Sequence, residues 1–153
     1  MQDNKISNGV TRFTSALLVV MFYGGIVSTC ALPWIFRWGA QFYPSLEQHY
    51  WLNTILFMLS GVGAVCIIHE LRQMFQTVLA ENCFVQQNVV SLRRMGWLGL
   101  AIALITAVRL AVIFTPATVV IIAVFFIAAL FSFVLSQVFD RAVKYKEEND
   151  LTI

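Results

Sequence analysis

A chain of 153 residues that is 59% apolar and only 12% charged falls far below the roughly 25% charged residues of an ordinary soluble domain. Such a composition cannot cover a globule with polar surface, so it excludes a free-standing soluble domain and makes lipid the solvent. A net charge of +2, with no Lys/Arg run longer than a pair, excludes an electrostatic nucleic-acid binder, and the length is that of one domain.

The first apolar stretch, residues 13–36, exceeds the roughly 7–15 residues of a signal-peptide core and is followed by three further spans, so it reads as a retained membrane span. Gly24, Gly25 and Ser28 have the spacing that lets helix backbones approach in lipid, and Pro33 is expected to kink or end this helix. Trp34, Trp38, Tyr43, Tyr50 and Trp51 crowd the connection to the second span, residues 51–68, as an interfacial aromatic belt would. Ser60, Gly61, Gly63 and Ala64 repeat the small-residue seam.

Past the second span the apolar stripe continues through Ile67, Ile68, Leu71, Met74, Phe75, Val78 and Leu79, with His69, Glu70, Arg72, Gln73 and Gln76 on the other side. The helix is therefore predicted to run on over 69–80, roughly 16 Å beyond the membrane at 1.5 Å per residue. His69 and Glu70 point roughly 100° apart and are poor joint ligands; they read as a solvated polar face, with His49 on the opposite side of the membrane. "ENC" turns the chain, and Val85, Val89 and Leu92 resume a helical stripe over 85–96 that leads into the third span, 97–114.

Arg109 is the one charge deep in a span, and no span contains Asp or Glu. It lies roughly 7–8 Å from the outer helix end, within snorkelling reach. Two readings stand: an anchor reaching outward, with Glu47 as the only acid on that side, or a transport or ligand site, the default meaning of an intramembrane ionisable residue. "TPA" around Pro116 joins the third span to the fourth, 117–139, in a tight hairpin. The fourth helix is predicted to continue over 140–148, with Leu135, Val138, Ala142 and Tyr145 on an apolar face and Asp140 paired to Lys144.

Lys5, Arg12, Arg72, Arg93, Arg94, Arg141, Lys144 and Lys146 fall on one side of this layout and Arg37 alone on the other, which places both termini and the middle hairpin in the cytoplasm. Cys30, Cys66 and Cys83 form no CxxC and no metal-spaced set. There is no GxSxG, HExxH, P-loop or acidic pair. No catalytic residue, cofactor or metal is expected, and the chain reads as a non-enzyme.

Two segments carry a resemblance. "CFVQQNVVSLRRMGW" resembles the "PF-x-x-x-N-x-x-x-LR-x-x-G" segment of a bacterial membrane-protein family catalogued as domain of unknown function 2975, through Phe84, Asn88, Leu92, Arg93 and Gly96. "VFDRAVKYKEENDLTI" is similar to that family's "F…LxEExDLTI" ending, through Phe139, Glu148, Asp150, Leu151, Thr152 and Ile153. Cys83 stands where the family often has Pro, and Ala142 where Gly is common. The resemblance covers nearly the whole chain. It implies a small bacterial inner-membrane protein, often encoded beside a helix-turn-helix regulator, and supplies no activity.

In the tail, Asn149 is expected to cap the fourth helix in a left-handed conformation, leaving "DLTI" extended. Docking would bring Glu148 and Asp150 to Arg93 or Arg94 and bury Leu151 and Ile153, so the interaction set is Phe84, Asn88, Arg93, Arg94, Glu148, Asp150, Leu151 and Ile153. The expected fold is all-α: an integral membrane four-helix bundle with a cytoplasmic helical hairpin extension between helices 2 and 3. The leading expectation for function is an inner-membrane interaction or signalling protein. Its hairpin and tail would engage a cytoplasmic partner, with a DNA-binding helix-turn-helix regulator as the candidate, and self-association is left open. The alternative is a small transporter, pore or immunity-type protein handling a peptide or ion, which a polar path through Ser28, Thr29, Ser60 and Arg109 would favour.

Overall fold

The computed structural model describes residues 3–39, 41, 50–80, 82–112 and 114–150. Four helices dominate: α1 (Asp3–Gly39), α2 (Tyr50–Leu79), α3 (Gln86–Val112) and α4 (Pro116–Asp150). All four are long and apolar enough to cross a membrane. Even α3, the shortest at 27 residues, is about 40 Å long against a hydrocarbon core of about 30 Å. The chain is an integral, multi-pass membrane protein built as a four-helix bundle, with no strand among the described residues.

Three helix ends differ from the sequence reading. Pro33, expected to kink or end α1, does not end it, and the helix runs past the expected bound at 36 to Gly39; membrane helices tolerate an interior proline, and the Tyr50 hydroxyl of α2 donates to the Pro33 carbonyl at 3.0 Å, tying the two helices there. Pro116 does not sit mid-turn but opens α4, where its missing N–H is no loss. The Thr118 N–H closes that first turn on the Thr115 carbonyl at 2.9 Å. Asn149 does not cap α4 in a left-handed conformation, since the helix runs through it to Asp150.

The helices pack in chain order, α1 on α2, α2 on α3 and α3 on α4, and no Cα of α1 comes within 8 Å of α4. Close approach is built from glycines. A Cβ at Gly61 would lie 2.8 Å from Thr29 Oγ1 of α1, one at Gly63 3.0 Å from Ile102 of α3, and one at Gly96 2.8 Å from the Phe133 ring of α4. Gly24, by contrast, has nothing within 4 Å.

Burial is inverted relative to a soluble domain. The most deeply buried large side chains are Val89, Asn53, Asn88 and Thr118, while Phe13, Val20, Trp51 and Phe131 lie exposed. Lipid tails are as apolar as leucine, so helices associate through close packing and hydrogen bonds, not through an apolar core. The apolar face expected on α4 is present and points outward. Leu135, Val138 and Tyr145 form an outward face, and the buried positions are Thr118, Ala129, Ser136 and Val143.

Candidate functional site: polar layers and an apolar cavity

Buried polar groups lie in three layers along the α2–α3 seam. The first locks the hairpin tip. Asn88 is 1% exposed and donates through Nδ2 to Thr77 Oγ1 at 2.7 Å and to the Cys83 carbonyl at 2.7 Å, so one amide fixes both the end of α2 and the turn. Phe84 packs on Phe139 with ring centroids 5.6 Å apart, and Lys146 Nζ donates to Asn82 Oδ1 at 2.8 Å. The end of α4 is thereby joined to the tip.

The second layer overturns the reading of Glu70 as part of a solvated face. Glu70 is buried at 8% exposure, accepts a 2.7 Å bond from Ser91 Oγ and pairs with Arg94 at 3.2 Å. A helical stripe read from apolar residues alone assigns every polar residue to solvent; it cannot see that an acid on one helix faces a serine and an arginine on the next. His69 does stay exposed, with its ring 5.7 Å from that of Phe22 and Gln73 Nε2 2.9 Å from its Nε2.

The third layer holds Arg109. Its Nε donates to Asn53 Oδ1 at 3.3 Å and one terminal nitrogen to Thr118 Oγ1 at 3.2 Å, while the guanidinium lies 4.5 Å over the Phe57 ring. Both partners stand within the first turn or so of α2 and α4, so the guanidinium reaches between the helices toward that end of the bundle; Glu47 lies outside the described residues. Arg109 lines a cavity of about 250 Å³ bounded by all four helices, with Leu32, Phe57, Ile105, Ile121 and Phe125 among its walls. Ser60 reaches this cavity, but Ser28 is exposed and the Thr29 hydroxyl is spent on the Gly25 carbonyl at 2.7 Å.

The expected interaction residues divide accordingly. Phe84 and Asn88 meet at the hairpin tip. Arg94 is drawn to Glu70. Arg93 is exposed and makes no ion pair among the described residues, whereas Asp140 pairs with Lys144 at 2.8 Å as its spacing predicts. Glu148 is on the exposed end of α4. The Asp150 side chain, Leu151 and Ile153 lie outside the described residues, and so does their docking. Asn53, Thr118, Ser91 and Glu70 were missed as a set; the available signal was polar residues set in otherwise apolar helices.

A family model described as "Protein of unknown function (DUF2975)" matches residues 34–153. Neither a curated protein nor a solved structure matches the chain.

Proposed function

Because the chain belongs to the DUF2975 family of proteins of unknown function, a membership that assigns no activity, we propose from its own geometry that it is a membrane-embedded interaction protein. Its hairpin tip and the end of α4 together would engage a soluble protein partner. The observation that supports this is the joining of two distant chain segments into one surface, through Phe84 on Phe139 and Lys146 on Asn82. A surface held in place before binding loses less entropy on association than a loose one. At that junction Phe84 stays half-exposed, and Arg93 is exposed on α3, aromatic and arginine side chains being the types that recur at binding hot spots; Arg141, Lys144 and Tyr145 line a separate groove on α4.

The location proposed is a bacterial inner membrane with both termini and the tip in the cytoplasm, on the strength of the basic-residue asymmetry. The partner class proposed is a helix-turn-helix transcription regulator, held at or released from the membrane, following the family resemblance. The pore reading has less support. Among the described residues the polar groups fall into separate layers, and between them Gly63 packs directly on Ile102.

The test places a photo-crosslinking phenylalanine analogue at position 84 in cells. The expected product is an adduct with a soluble DNA-binding protein, identified by mass spectrometry and lost in Arg93→Glu. Adducts with lipid or with a second copy of the chain alone would refute the reading.

A further inference from the structure

We propose that the cavity at Arg109 is a binding site for a single-chain amphiphilic anion, with its oxyanion at the guanidinium and its alkyl chain among the apolar walls. Four observations converge. The guanidinium has five N–H donors, and the described side-chain acceptors are Asn53 Oδ1 and Thr118 Oγ1, both neutral. Among the described residues no carboxylate pairs with it. The Asn53 amide nitrogen is buried and has no hydrogen-bond partner, although Asn53 is only 2% exposed. Buried donors of this kind are nearly always satisfied, so the orphaned amide shows that the layer around Arg109 is short of acceptors; Asn53 does not line the cavity, and the guanidinium is the donor that the cavity reaches. A charge-assisted oxyanion is the acceptor that suits a planar guanidinium best.

The cavity supplies the other half of the ligand. Its about 250 Å³ exceeds the roughly 150 Å³ of an apolar cavity that takes up benzene, and its walls are aliphatic and aromatic apart from Ser60, Thr106 and Arg109. Thr106 already donates to the Ile102 carbonyl at 2.7 Å. One charged group beside an apolar enclosure selects for one charge on an apolar body, not for an ion or a polar peptide.

The route of entry follows from the packing. Leu32 of α1 and Ile121 of α4 both line the cavity, yet no Cα of α1 comes within 8 Å of α4, so the lateral boundary of the site is a gap facing lipid. Arg109 stands within a turn of the end of α3, a depth at which an amphiphile dissolved in the bilayer carries its headgroup. The inference does not depend on the partner proposed for the other end of the bundle.

The experiment measures dodecanoate binding to the purified full-length chain by native mass spectrometry, with dodecanol as the uncharged probe of equal length. Dodecanoate should bind, and both dodecanol and Arg109→Gln should show affinity weaker by about tenfold or more, the loss of one charge-assisted contact. Leu32→Trp and Ile121→Trp narrow the two lips of the gap with Arg109, Asn53 and Thr118 untouched, and at least one should weaken dodecanoate comparably with melting temperature unchanged. Displacement of dodecanoate by lysophosphatidylglycerol but not lysophosphatidylcholine would assign the oxyanion to a single-chain phospholipid; displacement by neither would assign it to a free fatty acid. Equal binding of dodecanol and dodecanoate, or full binding by Arg109→Gln or by both lip variants, would overturn the proposal.

Discussion

Glu70 brings a formal charge into the α2–α3 seam, and its two partners are unequal. Ser91 is buried and donates at 2.7 Å, whereas the Arg94 side chain is 64% exposed at 3.2 Å. A hydrogen bond to a buried charged group is worth about 1.5–3 kcal/mol, while an ion pair whose cation stands in solvent is worth about 0–1 kcal/mol. The smaller residue should therefore matter more. Ser91→Ala is expected to destabilise by about 1–3 kcal/mol and Arg94→Ala by less than about 1 kcal/mol, measured as thermal unfolding in detergent. Asn88 gives a second contrast. Its amide nitrogen donates to both Thr77 and Cys83, so Asn88→Asp keeps the shape but removes both donors and buries a charge. It should lose more stability than Asn88→Ala, itself costing about 1–3 kcal/mol; an aspartate variant as stable as the native protein would mean that the amide does not hold the turn. Of these residues, Asn88 was legible beforehand because the resemblance marked it. Glu70 was not, because its partners come from another helix and only the helix register brings them together.

At the scale of the helix, small residues carry the packing, but not all of them equally. The sequence shows Gly24 and Gly25 in α1 and Gly61 and Gly63 in α2 as equivalent parts of a small-residue seam. The structure separates them: Gly24 faces open space, while a Cβ on Gly61 would press on Thr29, whose hydroxyl is fixed on the Gly25 carbonyl. Gly24→Ala should leave stability unchanged or raise it by about 0.5–1 kcal/mol, since alanine is the better helix former. Gly61→Ala should lower it by about 1–3 kcal/mol through overpacking. Unfolding midpoints of the two variants against the native chain decide the matter, and equal effects would contradict the seam. That a seam exists was readable from spacing; which glycine lies in it was not, because spacing fixes a residue's face on its own helix but not the rotation of that helix toward its neighbour. The apolar face of α4, with Leu135, Val138, Ala142 and Tyr145, was likewise readable as a face but not as a direction. Periodicity finds an apolar face, and within a span that face points to lipid and away from the protein.

Across the whole molecule, the number of spans and the all-helical class followed from composition and hydropathy because lipid leaves a chain so few ways to satisfy its backbone. Orientation rests on a different force, the retention of basic segments on the cytoplasmic side, and the three cysteines are placed to test it. Cys30 and Cys66 are exposed on the flanks of α1 and α2, within the spans, and Cys83 is at the tip between α2 and α3. A thiol facing hydrocarbon is out of reach of a charged reagent, whereas one at the tip meets water on whichever side the tip occupies. Its backbone carbonyl is held by Asn88 at 2.7 Å, but its sulfur is only partly buried and free. With Cys30 and Cys66 replaced by alanine, a membrane-impermeant maleimide should modify the remaining Cys83 in inside-out vesicles and leave it untouched in intact spheroplasts. The reverse pattern would put the tip, and with it Arg93, Arg141 and Lys144, outside the cell. A cytoplasmic partner would then be unable to reach the surface joined by Phe84 and Phe139, whereas the cavity at Arg109 would still open sideways into the bilayer and keep its proposed ligand.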